Sequence, residues 1–400
     1  MSGVVHGLRE RVRRADPEGW AGLQQMLAAT RRWSARADEL ADIPEGLWAE
    51  LPVDLVNRLT VPAEYDGLPL TATAVRRAVV FELLGRADPG LALALPGPGL
   101  AMPAVVVAGT PSQRKQFFDR FLGRGRPVWA AFAITEPQGG SAATSLRTVA
   151  RPDGEGYRID GEKCFITNGA RADIVITFAT TDPARGPFAI RGFAVEAGTP
   201  GFGVGRCEDM MGLRASQLAT LTWTDCTVPA DCLLGDPRGV RSSGFAAAQG
   251  AWELMRPALS ALIVGACLGA LDHARCALDD EGARGGRAAA SARERLATEA
   301  ARVHAARLLA LRAAWSYDEG RRGPLDGSLA KASAASAAAH LAAALTDLLP
   351  ERAALLTDPL GRFCRDSHAF DILEGTGDMH RLMVARRFAT EVTSGVRRGA

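Results

Sequence analysis

The sequence predicts a mostly helical α+β protein in three parts: helical over residues 1–127, a small β domain over 128–238, and helical again over 239–400. Two observations predict it. Toward both ends, apolar residues recur at spacings of three and four, as helices burying one face require. In the middle, β-branched and aromatic residues alternate with polar ones, punctuated by Gly, Asp and Asn.

The first helical pattern runs from about Pro17 to Leu122 and is clearest in GLQQMLAATRRW and AVRRAVVFELLGRA, with turn-rich VPAEYDGLPL between them. The β pattern runs from Val128 to Leu234. GYRIDGEKCFITNG reads as two strands joined at Asp160-Gly161, an Asp-Gly pair being a strong hairpin signal. ADIVITFAT, IRGFAVE and LATLTWTDCTVP read as further strands, with TDPARGPFAIRG as a loop. Helical character returns from about Ser243 to Arg387, with breaks expected at Gly282–Gly286 and Glu319–Gly327. The most apolar stretch, Pro257 to Leu271, is too short for a bilayer span and is expected as a buried helix.

Composition narrows the function. The 400 residues are 47% hydrophobic and 23% charged, a globular balance. With 47 basic and 45 acidic residues the net charge is +2, so no global field draws the chain to nucleic acid or to an acidic membrane. The seven cysteines are scattered, with no Cys-x-x-Cys, which argues against a disulfide framework or a zinc site and for a reducing cytoplasm. The opening residues are charged and lack the apolar core of a signal peptide.

Four segments carry candidate chemistry. In AFAITEPQGGSAATS, a strand-like run ends in a Pro/Gly loop with hydroxyls at Thr135 and Ser141. Glycines there allow close backbone approach to a ligand and offer N–H groups to phosphate; an ordinary turn has the same composition. In GEKCFITNG, Phe165 and Thr167 share one strand face and could line a flat ring, or simply pack a sheet. EDMMGLRASQLATLTWTDCTVP is a Gly-containing loop feeding a strand, compatible with plain domain packing. In RDSHAFDILEGTGDMHRLMVARR, an apolar run ends at Leu373, and Glu374-Gly375-Thr376-Gly377 precedes a new helix near Asp378. A carboxylate beside apolar residues suits a general base whose pKa must rise, although a lone loop Glu is usually solvated.

Taken in order, these segments resemble the acyl-CoA dehydrogenase family from about Pro52 to Val392. VPAEYDGLPL, ELLGRADPGLALAL and AGTPSQRKQF are similar to its N-terminal helical domain. TEPQGGS, FITNG and MGLRAS are similar to its β domain. MRPALSALIVGACLGALDHA resembles the long helix opening its C-terminal domain, and ILEGTGDMHRLMVAR its catalytic segment.

The resemblance implies an N-terminal helical domain, a central β-barrel-like domain and a C-terminal four-helix bundle around non-covalent FAD. It implies removal of two hydrogens from an acyl thioester of CoA or of a carrier protein, with Glu374 as the base. Another branch of the family carries its base on the long helix before an Arg. That position here is Met255, before Arg256, so only Glu374 offers a carboxylate. Arg256 is similar to a family arginine near the acyl site, or it makes an ion pair within the bundle. By resemblance Phe132, Ile134 and Thr135 touch the flavin, Ser141 reaches a phosphate, Phe165 covers the ring and Thr167 bonds near its reactive nitrogen. Thr376 and Asp378 are expected near the phosphates or adenine, with Asp378 in place of a common Gln.

Two departures concern assembly. The family Arg that grips the neighbouring subunit's FAD pyrophosphate falls on Glu281, with Arg284 where a Phe is usual. A Gly-Gly loop facing the neighbour's adenosine is replaced by Pro350-Glu351. A homo-oligomer in which Arg284 or Arg287 takes over the phosphate, a hetero-oligomer in which a relative supplies the missing groups, and weak FAD affinity all follow from this, with the homo-oligomer favoured. Competing functions on the same fold are a flavin oxidase or monooxygenase and a flavin-poor, non-catalytic relative.

Overall fold

The computed structural model describes residues 2–140, 145–236, 244–282, 287–321 and 324–398. The first eight helices are α1 (Ser2–Ala15), α2 (Pro17–Leu40), the short α3 (Glu45–Trp48) and α4 (Val53–Arg58), α5 (Ala74–Ala87), α6 (Pro89–Ala94), α7 (Ala101–Ala108) and α8 (Pro111–Phe118). Their starts are written in the sequence. Asp16 accepts the Gly19 amide at 2.9 Å ahead of Pro17, and Thr110 and Gln113 form a reciprocal capping box on α8. VPAEYDGLPL is two 3₁₀ turns around a left-handed Asp66, as its composition predicts.

Seven strands follow: β1 (Ala130–Ala133), β2 (Val149–Asp153), β3 (Gly156–Ile166), β4 (Ile174–Thr180), β5 (Ile190–Glu196), β6 (Phe202–Cys207) and β7 (Ala219–Pro229). They form one sheet in the order β1-β4-β2-β3-β7-β6, with β5 also paired to β4. Every residue of β4 is buried, which suits a strand flanked on both edges. The Asp160-Gly161 hairpin is not formed. The turn lies earlier, at Gly154-Glu155, with Asp153 opposite Gly156 and Gly154 at φ 58°. Gly161 instead marks a bulge inside the continuous β3, where a Cβ would come within 2.7 Å of the Thr148 Cα. An Asp-Gly pair satisfies a bulge as readily as a turn.

The C-terminal domain contains α9 (Gly244–Gly282), α10 (Arg287–Asp318), α11 (Pro324–Leu348), the short α12 (Pro350–Ala354), α13 (Pro359–Phe370) and α14 (Gly377–Arg398). α9 extends well beyond Pro257–Leu271 and is long and apolar enough to cross a membrane. However, 89% of its most apolar window is buried inside the protein, which makes it a core helix.

Two glycines let α9 press against α5. A Cβ on Gly85 would sit 2.0 Å from the Leu262 carbonyl oxygen, and one on Gly265 would sit 2.0 Å from that of Glu82. Glu82, buried at the same crossing, pairs with Arg307 of α10 and Arg9 of α1. Asp318 at the end of α10 accepts the first two amides of α5, at 2.7 and 3.0 Å.

Hydrogen bonds tie the β domain to the helices on both sides of it. Asn57 accepts the Val128 amide at 3.0 Å, Asn168 donates to the Leu93 carbonyl at 3.0 Å, and Asp366 of α13 accepts the Leu213 amide at 2.6 Å. The last bond joins the sheet to the helix that leads into Glu374.

Candidate active site

The turn between α13 and α14 is built from its backbone. The Ile372 and Leu373 amides both return to the Ala369 carbonyl, and the Gly377 amide closes the turn on the Asp371 carbonyl at 3.1 Å. Thr376 accepts the Met379 amide at 3.3 Å through its hydroxyl, capping α14. Glu374, between them, is held at φ 52°, a left-handed conformation costing about 1–2 kcal/mol for a residue with a Cβ. Its side chain is half-buried, and Oε2 is shielded from solvent with no hydrogen-bond partner.

Burial lifts the Glu374 pKa to about 7, while the charges of Arg256 and Lys331 act in the opposite direction. A carboxylate balanced near neutrality, with one oxygen unengaged, is suited to taking a proton from carbon. Arg256, on α9, is buried. Its guanidinium lies 5.5 Å over the Trp252 ring and its Nε has no partner. Lys331, on α11, is fully buried, and its Nζ donates to the carbonyls of Asp371 and Gly375, each at 3.1 Å. His380 is buried with neither ring nitrogen hydrogen-bonded; burial and the two cations hold its pKa near 4, so the imidazole is neutral.

The second group of residues lies on the β domain. Phe132 packs 4.9 Å from Phe178. The Ile134 carbonyl accepts from Lys163 Nζ at 3.1 Å, and the Thr135 carbonyl accepts the Cys164 amide at 3.0 Å. Glu136 anchors the following loop by accepting the amides of Arg147 and Thr148 at 2.7 and 2.9 Å, and it pairs with the buried Lys163 at 2.7 Å. Phe165 sits in the irregular end of β3 at φ 57° and is 55% exposed. Thr167 is half-buried beside it. The Asn168 amide donates to the Ser216 carbonyl at 3.0 Å, joining FITNG to MGLRAS. The segments singled out in the sequence are thus linked by hydrogen bonds, from Thr135 through β3 to the Leu213–Ser216 turn and on to Asp366 of α13.

Asp378, expected at the phosphates or adenine, points into solvent and pairs with Arg381 at 2.8 Å. Pro350 opens α12 and Glu351 is exposed. Ser141 and Arg284, and the side chains of Glu281 and Arg287, lie outside the described residues. A surface cavity of about 230 Å³, lined by Met211, Leu355, Leu356 and His368 among others, includes none of the expected site residues. Sequence reasoning missed Lys163, Glu136, Lys331 and His380. A lone lysine in the alanine-rich run LAKASAASAAAHL was the available signal for Lys331.

Models of the acyl-CoA dehydrogenase N-terminal, middle and C-terminal domains match residues 24–124, 131–226 and 242–389. A cyclohex-1-ene-1-carbonyl-CoA dehydrogenase of Geobacter metallireducens is 33% identical over 366 residues, 90% of this chain and 94% of that protein. The chain belongs to the acyl-CoA dehydrogenase family. A second cyclohex-1-ene-1-carbonyl-CoA dehydrogenase, from Syntrophus aciditrophicus, is 32% identical over 329 residues, 82% of this chain and 78% of that protein. The solved butyryl-CoA dehydrogenase of Megasphaera elsdenii superimposes with a TM-score of 0.78 at 25% identity, over 92% of this chain and 98% of that one. This family member is accordingly an FAD-dependent oxidoreductase of acyl thioesters, acting on a CH–CH bond. Its β-domain surface fits a flavin. A large aromatic left exposed on a left-handed backbone is what a flat ring would cover.

Proposed function

We propose that the protein introduces an α,β double bond into an acyl-CoA, with Glu374 taking the α-proton. The observation that carries this is the shielded, unpartnered Oε2 of Glu374 on a carboxylate whose pKa burial has raised to about 7. As the α C–H bond breaks, its proton passes to Glu374 and its electron pair forms the new double bond. FAD, when bound, supplies the acceptor for the hydride leaving the β-carbon. Phe132, Ile134, Thr135, Ser141, Phe165, Thr167 and Thr376 would hold FAD. Arg256 lines the acyl end, where its unpaired Nε is a free donor. Given the named relatives, a cyclic or short acyl-CoA is the first substrate class to try.

The test is a panel of straight, branched and cyclic acyl-CoA and acyl-carrier-protein thioesters with an artificial electron acceptor. Turnover with acyl-CoA supports the reading. Turnover confined to carrier-protein thioesters transfers it to that class, and flavin reduction by none of them removes it.

A homo-oligomer, with Arg284 or Arg287 on the neighbour's pyrophosphate, fits the exposed Leu355, Leu356, Ile372, Leu382 and Phe388 near α12–α14. Light scattering and flavin titration of the chain alone, beside Arg284→Ala/Arg287→Ala, check this. A monomer, or an oligomer whose FAD affinity the double variant leaves unchanged, counts against it. The scattered cysteines, all free, favour a cytoplasmic location, which cell fractionation would test.

A further inference from the structure

We infer that Lys331 is a positioning residue for Glu374: its ammonium holds the left-handed turn that presents the carboxylate and sets the charge that carboxylate faces. The inference deepens the reading of Glu374 as the base and rests on it.

Lys331 has no solvent exposure, and it comes from α11, a different element from the turn it holds. A buried ammonium must find acceptors. Lys331 finds two main-chain carbonyls, Asp371 three residues before Glu374 and Gly375 one residue after it, both at 3.1 Å. These two bonds clamp the segment on either side of the strained residue. Without them, the Asp371 and Gly375 carbonyls lose their lysine donor, and the backbone on either side of Glu374 loses its tie to α11. The other bonds of the turn, from Ile372 and Leu373 to Ala369, from Gly377 to Asp371 and from Met379 and His380 to Thr376, all stay within the α13–α14 segment, whereas Lys331 ties it to α11.

The same ammonium acts through charge. It lowers the Glu374 pKa against the larger effect of burial, as Arg256 does. Lys331 itself is drawn down to about 8 by burial, with Asp371 and Glu374 raising it and Arg256 and Arg381 lowering it. Neutral His380 is the other titratable group packed there and contributes no charge near pH 7. While protonated, Lys331 is a positive charge against which the Glu374 carboxyl titrates.

The test reads Glu374 directly. Holoprotein labelled with δ-¹³C-glutamate is followed by carbon NMR across pH, and the Glu374 signal is assigned by its loss in Glu374→Gln. In the wild type the signal should titrate near 7, well above an ordinary glutamate. In Lys331→Met the midpoint should rise by roughly half a unit or more. In Lys331→Arg, which keeps the cation, the midpoint should stay near the wild-type value. Turnover of Lys331→Met should fall about 10²-fold, the effect of a misplaced base. Lys331→Gln, which keeps an N–H donor without charge, stands in if the methionine variant does not fold. An unchanged midpoint in a folded uncharged variant overturns the proposal. Turnover of Glu374→Gln tests the proposed function instead, so the two ideas fail separately.

Discussion

Glu136 in the β domain and Glu374 at the end of the bundle both lie in the field of a buried lysine, and their carboxyl groups have opposite fates. Burial pushes Glu136 up as it does Glu374. Lys163 and the amides of the Arg147 loop then overcome it and carry Glu136 down to about 2. Glu374 receives no such bonds on Oε2, and its lysine spends its donors on backbone carbonyls instead. Glu136 is the more buried of the two and still stays ionised, because the Lys163 charge and the donors on its carboxylate outweigh burial, whereas burial prevails at half-buried Glu374. A saturated carboxylate is a strut, whereas an unsaturated one beside a strained backbone retains proton affinity for use.

Glu374→Gln should separate the two roles most sharply. The amide matches the carboxylate in shape but cannot take the proton. Turnover should fall by roughly 10²–10⁴-fold or more while FAD absorbance and the fold persist. A variant that keeps near wild-type turnover would erase the chemical side of the comparison.

Lys163→Met should do the converse. It strands Glu136 as an unpaired buried charge and removes the donor on the Ile134 carbonyl. Breaking such a pair costs about 3–5 kcal/mol, read as a lowered urea midpoint of the folded protein. A midpoint within error of wild type would mean that Glu136 is not a strut.

Opposite pKa shifts also predict opposite pH dependences of stability. Glu374 has a raised folded-state pKa, so its contribution is fully present below about 4.5 and is lost as pH rises through about 7. Glu136 has a depressed one, so its contribution is present above about 4.5 and is lost as pH falls toward 2. The melting temperature of Glu374→Gln relative to wild type should therefore climb between pH 4.5 and 7. A flat difference across that window would show that the carboxyl is not held protonated by its surroundings.

The flavin side should respond more gently. Phe165→Ala removes an exposed aromatic from the face proposed for the ring. FAD affinity should weaken about 2- to 10-fold, the range of one aromatic contact, by flavin fluorescence titration. Unchanged affinity would move the ring off β3.

The helices, the extent of the β region and the Glu374 turn were legible in the sequence because each rests on local rules: periodicity, caps and Gly-Thr-Gly punctuation. The Asp160-Gly161 hairpin was misread because a two-residue signal cannot tell a turn from a bulge; the choice was made by packing against Thr148, which is remote in sequence from neither candidate turn but visible only in the sheet. The buried helix expected over Pro257–Leu271 is the middle of a longer one, because the flanking residues, back to Gly244 and on to Gly282, continue it without a break. Lys331 and His380 escaped because a lone cation in an alanine-rich helix, or a lone imidazole, does not say what it faces until the fold brings the Glu374 turn against it. Family knowledge supplied the role of Glu374, and the structure supplied the reason such a role is tenable there.

Asp378 gives the smallest expected effect. The family resemblance puts this position near the phosphates or adenine of FAD, where relatives often have Gln. Here the side chain projects into solvent in the first turn of α14 and pairs with Arg381 at i,i+3. An acid in that turn favours the helix by about 0.3–1 kcal/mol, and an exposed pair adds at most about 1 kcal/mol. An anion beside a pyrophosphate would be repelled, so a direct cofactor contact would make Asp378→Gln tighten FAD severalfold. The exposed pair with Arg381 points the other way: Asp378→Gln and Asp378→Ala should both leave the FAD dissociation constant within about 2-fold of wild type and shift the melting temperature only slightly. Severalfold tighter FAD in the glutamine variant alone would put Asp378 back at the cofactor.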